Sequence, residues 1–309
     1  MDLLKTTKQL CRLYDIKPAR SRGQNFLIKE EAYEKIIKAA DLKKDDIVLE
    51  VGPGLGFLTT RLAKIVKKVV AVELDDKLAE VLRTGLMAQG IYPVKSGDAG
   101  ILPSAKLFDR VKNVEIINGD ILKIPPLNLP LVKGESPQGR GFKIVANLPY
   151  NITSIFLRKF LSAENKPAMM VLMLQKEVAE RIIARPPKMS LLAVSVQFYA
   201  EAKIVEIVPA ACFWPKPEVD SAIIKLTVET HNYASPRGRA SVQNEKEFFR
   251  MVKIGFSAKR KMLKNNLAAG FHISPEEAEE RVKKAGFNPK IRAQELSVED
   301  WAKLFGEFI

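Results

Sequence analysis

The segment "DDIVLEVGPGLGFLTTRLAKIVKKVVAVELD" (residues 45–75) constrains the fold most strongly. It contains a short apolar run, "IVLEV", then a glycine-rich turn, then "LTTRLAKIV" with helical spacing of its apolar residues, and then a second run, "VVAVEL". Two short β-prone runs separated by an amphipathic helix are typical of a parallel βαβ unit. The segment therefore predicts a parallel sheet with helices packed against it.

Further apolar runs extend the predicted sheet: "NVEIING", "FKIVANL", "AMMVLMLQ", "LLAVSVQFYAEAKIVEIV" and "SAIIKLTV". Together they predict an α/β fold with a doubly wound, mostly parallel sheet whose later strands are antiparallel. Residues 84–108 and 129–141 interrupt the pattern and are interpreted as insertions in connections, the second as a flexible loop.

The C-terminal part has a different character. A polar stretch at 231–241 reads as a linker, so we expect a large domain over 1–230 and a small all-helical domain over 242–309. "KEFFRMVKIGFSAKRKMLKNNLAAG" predicts a basic helical segment closed by a glycine, and two later segments, beginning at Ser274 and Ser297, start with capping-box patterns.

Composition excludes several classes of protein. The 309 residues are 47% hydrophobic, which indicates a globular chain, and the two cysteines lack the spacing of a disulfide framework or a zinc site. With only two histidines, metal or triad chemistry is not expected. No apolar run approaches the roughly 20 residues of a membrane span, and the first residues do not resemble a signal peptide. We expect a soluble, cytoplasmic protein without a metal.

The charge is strongly basic. Fifty Lys and Arg residues against 36 Asp and Glu residues leave a formal charge of +14, which favours a polyanionic partner, most commonly nucleic acid. A basic solvated surface without such a partner is the alternative.

The glycine-rich turn predicts a ligand site. Gly52, Gly54 and Gly56 let the backbone pass close to a ligand, but a dinucleotide pattern would need a glycine where Phe57 stands. The spacing instead suits a nucleoside without a pyrophosphate, such as S-adenosylmethionine, although tight strand-to-helix packing would also explain it.

Two acids follow neighbouring strands. Glu73 could accept both ribose hydroxyls of a nucleoside, although dinucleotide enzymes use the same device. Asp120 could accept the exocyclic amine of an adenine, or it could simply cap the next turn.

The stretch "NLPY" ends a predicted strand at the edge where open α/β sheets bind ligands. The Asn147 amide oxygen and the Leu148 carbonyl could accept the two N–H bonds of an adenine amine, which would turn its lone pair toward a methyl donor. Pro149 stiffens the turn and offers no competing N–H, and Tyr150 offers a face on which an extruded base can stack. A proline turn with a packed tyrosine is the alternative.

Seven motifs occur in one order along the chain: "GQNFL", "EVGPGLG", "AVELD", "NGDIL", "ANLPYNI", "FWPKPEVDSAI" and "FSAKRKMLKNNL". In this the chain resembles the ribosomal RNA adenine dimethyltransferases, in particular their small-subunit branch. The resemblance runs nearly end to end. It implies a Rossmann-like class I methyltransferase sheet with a small helical C-terminal domain.

The resemblance also implies roles for individual residues. Asn25 and Leu27 would close over S-adenosylmethionine, Gly52 would contact its methionine portion, and Gly54 would also bind the cofactor. Glu73 would bind the ribose, Asp120 the adenine, and Asn147 would touch both cofactor and target base. Phe213 would be a second stacking residue opposite Tyr150. One departure is a second Gly-Asp at Asp98, a competitor for the adenine-binding role, and another is the "ESPQGRG" loop, to which no family role can be assigned.

By the same resemblance, the expected reaction is N6,N6-dimethylation of two adjacent adenosines in a hairpin loop near the 3′ end of small-subunit (16S) rRNA, with a role in small-subunit biogenesis. We expect a monomer that acts on this RNA within a small-subunit particle. A basic helix is expected to bind the RNA phosphates and sugars, although a solvated helix face is the alternative; its residues are Lys259, Arg260, Lys261, Lys264, Asn265 and Asn266.

Three rival functions remain open. A large-subunit adenine methyltransferase would share the catalytic motifs, and the basic "FSAKRKMLKNNL" segment argues against it. Alternatively, the protein is chiefly an assembly factor that binds immature subunits, and methyl transfer is secondary to that role. A nicotinamide dehydrogenase is disfavoured by Phe57 and by "NLPY".

Overall fold

A computed structural model describes residues 2–18, 23–83, 113–126, 129, 141–228 and 244–308. The predicted insertion at 84–108 and the predicted linker at 231–241 lie outside these residues, as does the predicted loop 129–141 except for its two end residues.

The chain divides into two compact units. The first comprises Met1–Ala179 with Lys203–Val228, and the second comprises Glu180–Ala202 with Glu229–Ile309. The predicted domain bounds, 1–230 and 242–309, stay a prediction. The second unit also contains Glu180–Ala202, which interrupts the first unit in sequence. Sequence patterns along one chain do not show which separated segments pack together.

The sheet of seven strands has the predicted parallel core. In spatial order, β4, β3, β2, β5 and β6 run parallel, β9 runs antiparallel to β6, and β7 forms the edge beyond β9. The strands are β2 (Ile47–Val51), β3 (Lys68–Glu73), β4 (Val114–Asn118), β5 (Lys143–Asn147), β6 (Met169–Gln175), β7 (Ala200–Val208) and β9 (Ser221–Val228).

The chain also forms helices between these strands and a small second sheet of two strands. In the second sheet, β1 (Phe26–Leu27) pairs antiparallel with β8 (Phe213–Trp214). The "IVLEV" strand β2 is buried along its whole length, as expected for a central strand of a parallel sheet. The helices from the N-terminus to β6 are α1 (Leu3–Leu13), α2 (Glu30–Ala40), α3 (Phe57–Ala63), α4 (Asp76–Arg83) and α5 (Thr153–Leu161).

One predicted strand is a helix. The run "LLAVSVQ" forms α7 (Leu191–Gln197), which begins where the Ser190 side chain accepts a hydrogen bond from the Ala193 N–H, 3.1 Å away. Short apolar runs do not separate a buried strand from a buried helix, and here the cap favours the helix. Only the later part of the predicted strand run "LLAVSVQFYAEAKIVEIV" forms β7. Before α7 lies α6 (Lys176–Ile182).

The predicted basic helical segment is two helices, α8 (Glu245–Gly255) and α9 (Leu263–Phe271). Gly270 does not close α9, since the helix continues past it and His272 takes the left-handed cap position with a φ of 57°. A Cβ on Gly270 would lie 2.3 Å from the Ile254 side chain, so this glycine permits close packing between α8 and α9.

Two further helices complete the second unit, α10 (Pro275–Lys284) and α11 (Val298–Phe308). Their predicted starts are confirmed. The Ser274 side chain accepts from the Glu277 N–H, and Ser297 and Asp300 cap each other reciprocally. Among the described residues, no helix is both long and apolar enough to cross a membrane.

Candidate functional site

The carboxyl edge of the parallel strands carries a cavity within the first unit. Four segments line it: residues 23–27, the glycine turn after β2, the end of β3 and the "NLPY" turn after β5. The sequence placed ligand-binding residues in each of these segments, and the structure brings all four together. This is the edge at which open α/β sheets bind ligands.

The glycine turn has the backbone conformation that requires glycine. Gly52, Gly54 and Gly56 all have positive φ, at 64°, 57° and 78°. A Cβ on Gly54 would lie 3.3 Å from the Phe26 ring, and one on Gly52 would lie 3.7 Å from the Pro149 ring. Larger residues at these positions would therefore be strained and would fill space beside the cavity.

Glu73 holds the glycine turn to the end of β3. Its side chain is 5% exposed, and its carboxylate accepts from the Gly54 N–H at 3.0 Å and from the Asp75 N–H at 2.9 Å. Burial raises the pKa of Glu73, while these backbone hydrogen bonds act in the opposite direction. A carboxylate oxygen has two lone pairs, so the group can still accept ligand hydroxyls.

The segment that carries Asn25 and Leu27 is anchored over the cavity. The Tyr33 hydroxyl donates to the Leu27 carbonyl at 3.0 Å. The Asn147 Nδ2 donates to the Asn25 carbonyl at 3.4 Å, which ties the segment to the "NLPY" turn. Asn25, one of the two residues predicted to close over the cofactor, therefore contacts the predicted catalytic asparagine.

The "NLPY" turn presents two acceptors and a ring. The Leu148 N–H donates to the Met173 carbonyl at 3.0 Å, so the turn continues directly from the β5–β6 pairing. The Asn147 Nδ2 donates to the Asn25 carbonyl, so the Asn147 Oδ1 is the acceptor of this amide that is available to a ligand. Within the described part of the chain, neither this Oδ1 nor the Leu148 carbonyl accepts a hydrogen bond from the protein. Tyr150 lines the same cavity.

Asp120 and Phe213 are not among the residues that line the cavity. The Asp120 Oδ1 accepts from the Leu122 N–H at 2.9 Å, so the turn-capping alternative is present. Phe213 is 3% exposed in the core beside β1, so in this structure its ring offers no face to a base. Asp98 lies outside the described residues.

Glu50 lines the cavity and was not identified from the sequence. It is 1% exposed, its Oε2 has no hydrogen-bond partner among the described residues, and burial raises its pKa to about 8. A carboxyl group within an otherwise apolar strand, two residues before the glycine turn, was the available signal. A concave cradle with buried acceptors from Glu50 and Glu73 fits a ligand that carries hydroxyl and ammonium donors, as S-adenosylmethionine does.

The predicted RNA-binding residues lie in the second unit, and three of them are not on a helix. Lys259, Arg260 and Lys261 are exposed in the turn between α8 and α9 and are called the basic loop below; none has an acidic partner among the described residues. Lys264 is paired with Glu279, which partly neutralises it.

The two asparagines differ in exposure. Asn265 is exposed, whereas Asn266 is 5% exposed and its Nδ2 donates to the Gly255 and Ala258 carbonyls at 2.6 and 3.2 Å. The predicted RNA contact of Asn266 is therefore not supported by its position. Its amide instead holds the turn that carries the basic loop.

The sheet order, the glycine turn after β2, the carboxylate at the end of β3 and the "NLPY" turn after β5 define a class I S-adenosylmethionine-dependent methyltransferase. A family model described as "Ribosomal RNA adenine dimethylase" matches residues 17–96 and 101–309. The chain belongs to this family, whose methyl donor is S-adenosylmethionine, and the resemblance inferred from the seven motifs is confirmed.

Relatives and solved structures agree with this assignment. "Ribosomal RNA small subunit methyltransferase A" of Dehalococcoides mccartyi (strain 195) is 40% identical over 305 residues, 98% of this chain and 92% of that protein. The protein of the same name from Clostridioides difficile is 35% identical over 300 residues, 96% and 93% of the two chains.

Two crystal structures share the fold over most of their length. A dimethyladenosine transferase from Plasmodium falciparum has a TM-score of 0.69 at 25% identity, covering 92% of this chain and 97% of that one. The 23S rRNA methyltransferase ErmE has a TM-score of 0.65 at 25% identity, covering 92% and 99%.

Proposed function

We propose that this protein dimethylates the N6 amines of two adjacent adenosines in a hairpin loop near the 3′ end of small-subunit rRNA, as a step in small-subunit biogenesis. The observation that carries the reaction is the pair of acceptors, the Asn147 Oδ1 and the Leu148 carbonyl, that no described residue occupies, beside the Tyr150 ring at the cavity. The names of the relatives support the choice of subunit.

The role of these residues is to orient a poor nucleophile. An adenine amine delocalises its lone pair into the ring, and two acceptors that take its N–H bonds direct that pair out of the ring plane. Tyr150 stacks on the extruded base, an interaction worth about 1–3 kcal/mol. S-adenosylmethionine, when bound, supplies an electrophilic methyl group. The methylated amine is a cation that loses its proton to water, so the site needs no carboxylate as a general base.

Cofactor contacts are proposed for the residues that line the cavity. Asn25 and Leu27 close over it, Gly52 and Gly54 give backbone access, and Glu73 accepts ribose hydroxyls. For the amine of the cofactor's adenine, Asp120 is proposed as the acceptor in preference to Asp98. The reason is that Asp98 falls between the two segments matched by the family model.

The test of this function is incubation of the protein with isotope-labelled S-adenosylmethionine and ribosomal particles, followed by nucleoside analysis. Small subunits that lack the modification should yield N6,N6-dimethyladenosine, and large subunits should yield none. Label in the large subunit alone would favour the activity of the ErmE-like structures and would overturn the proposal. No label in either subunit, with normal particle binding, would favour an assembly factor.

We also propose that the basic loop binds rRNA phosphates. Its three consecutive exposed cations, which have no acidic partner in the described part of the chain, form a local positive patch that positions RNA without reading its bases. Changing all three residues to Gln should weaken binding to small subunits. It should also reduce the slope of the salt dependence by about one for each phosphate that the variant no longer neutralises. If the triple Gln variant bound small subunits with an unchanged salt slope, the proposal would be contradicted and the basic loop would be an ordinary solvated surface.

A matched control removes the same charge elsewhere in the second unit. Lys246, Lys284 and Lys290 are exposed, and their joint replacement by Gln should leave the salt slope closer to that of the unmodified protein. The cofactor affinity of both variants should be unchanged. A monomeric state, action on the assembled particle and location in the cytoplasm stay predictions.

A further inference from the structure

The far end of the Tyr150 side chain is held by a buried serine. The Tyr150 hydroxyl and the Ser221 Oγ are 2.8 Å apart, within hydrogen-bonding distance. Ser221 is fully buried, and Tyr150 is half-buried at the cavity. Burial also raises the pKa of Tyr150, so its hydroxyl keeps its proton and can serve as donor or acceptor.

Ser221 is fixed without help from Tyr150. It is the first residue of β9 and lies opposite Gln175, the last residue of β6. The preceding residue, Asp220, accepts the Lys176 N–H through its carbonyl at 3.0 Å and the Ala210 N–H through its side chain at 2.9 Å. These contacts place the serine hydroxyl at the carboxyl edge of the sheet.

The strand registers explain why the serine meets the tyrosine. Asn147 lies opposite Met173 on β6, and Met173 lies opposite Ile223 on β9. Because β9 is antiparallel to β6, moving two residues toward the start of β9 follows the direction in which β5 continues into the "NLPY" turn. Ser221 and Tyr150 are therefore brought to the same place by separate strands.

A tyrosine ring attached only at its Cβ can turn about two side-chain torsions, and a hydrogen bond at its far end restricts both. We propose that Ser221 is a positioning residue that sets the plane of the Tyr150 ring, and with it the plane of the target adenine relative to the Asn147 and Leu148 acceptors. This inference rests on the proposed function, in which Tyr150 stacks on the base.

A double-mutant cycle tests this inference. Ser221→Ala and Tyr150→Phe each remove the hydrogen bond, and each should lower kcat by roughly 2–10-fold, the equivalent of one ordinary hydrogen bond. The double variant should be no slower than the slower single variant, because the second change has no interaction left to remove. The Kd for S-adenosylmethionine, measured by calorimetry, should not change in any of the three.

Control variants separate positioning from folding. Ser162→Ala removes a serine hydroxyl that bonds only to the Arg158 carbonyl among the described residues, and it should leave kcat unchanged. Ser221→Cys fills the space of the serine with a slightly larger sulfur and weakens the hydrogen bond, so it should lower kcat as Ser221→Ala does even if the alanine variant is unstable.

Two outcomes would overturn the inference. One is a Ser221→Ala variant with full kcat, and the other is a Ser221→Ala effect that is as large in the Tyr150→Phe background as in the unmodified protein. Failure of the proposed function would look different. In that case Tyr150→Ala, which removes the stacking ring entirely, would retain full activity.

Discussion

Replacement of Asn147 by alanine should nearly abolish methyl transfer while leaving the cofactor bound. The substitution removes the amide oxygen, which is one of the two proposed acceptors for the target amine, from the lining of the cavity. Loss of one preorganised contact of this kind costs about 10²–10³ in rate, or roughly 3–4 kcal/mol of transition-state stabilisation. The second acceptor belongs to the Leu148 backbone and survives the change.

The cost to cofactor binding should be much smaller. The only protein hydrogen bond of the Asn147 side chain within the described residues is the long one, 3.4 Å, to the Asn25 carbonyl. Its loss should loosen the segment over the cavity by no more than about 1 kcal/mol, less than a tenfold change in Kd.

The assay is single-turnover transfer from labelled S-adenosylmethionine to unmodified small subunits, with calorimetry for the cofactor Kd. Asn151→Ala is the matched control, since Asn151 is exposed four residues further along the same turn region and should retain full activity. An Asn147→Ala variant that keeps more than about a tenth of the activity would refute the reasoning, because the amide oxygen would then not be a transition-state contact.

Three further predictions concern buried or alternative groups. Asp120→Ala should weaken cofactor binding by about 1–3 kcal/mol in calorimetry; Asp98→Ala should not, and the reverse ranking would transfer the adenine-binding role to Asp98. Asn266→Ala should destabilise the protein in denaturant titration by roughly 2–5 kcal/mol, because one buried and one partly buried carbonyl lose their donor; a stable variant with weakened RNA binding would restore the sequence prediction. Because the pKa of Glu50 is raised from 4.5 to about 8, the folded state binds its proton more tightly and stability falls as the pH rises between these values; Glu50→Gln should flatten that fall, and an unchanged pH profile would show that Glu50 does not cause it.

The linear sequence determined the parts of this protein whose cause is local. The central strands and the helix starts at Ser274 and Ser297 were predictable because periodicity and capping act over a few neighbouring residues. That the ends of β2, β3 and β5 would lie together at one edge was predictable for a related reason. Parallel strands bring their carboxyl ends to one edge, so residues that follow each strand must meet there.

Only the tertiary structure decided which groups are buried and what they contact. Phe213 and Asn266 belong to the motifs that carry the family resemblance, but one ring lies in the core and one amide is used by backbone carbonyls. Glu50 is a candidate site residue because it lines the cavity, and Ser221 is one because its hydroxyl contacts Tyr150, which is distant in sequence. Burial and long-range hydrogen bonds depend on how strands from separate parts of the chain are ordered and registered, and the pattern within any one strand does not contain that information.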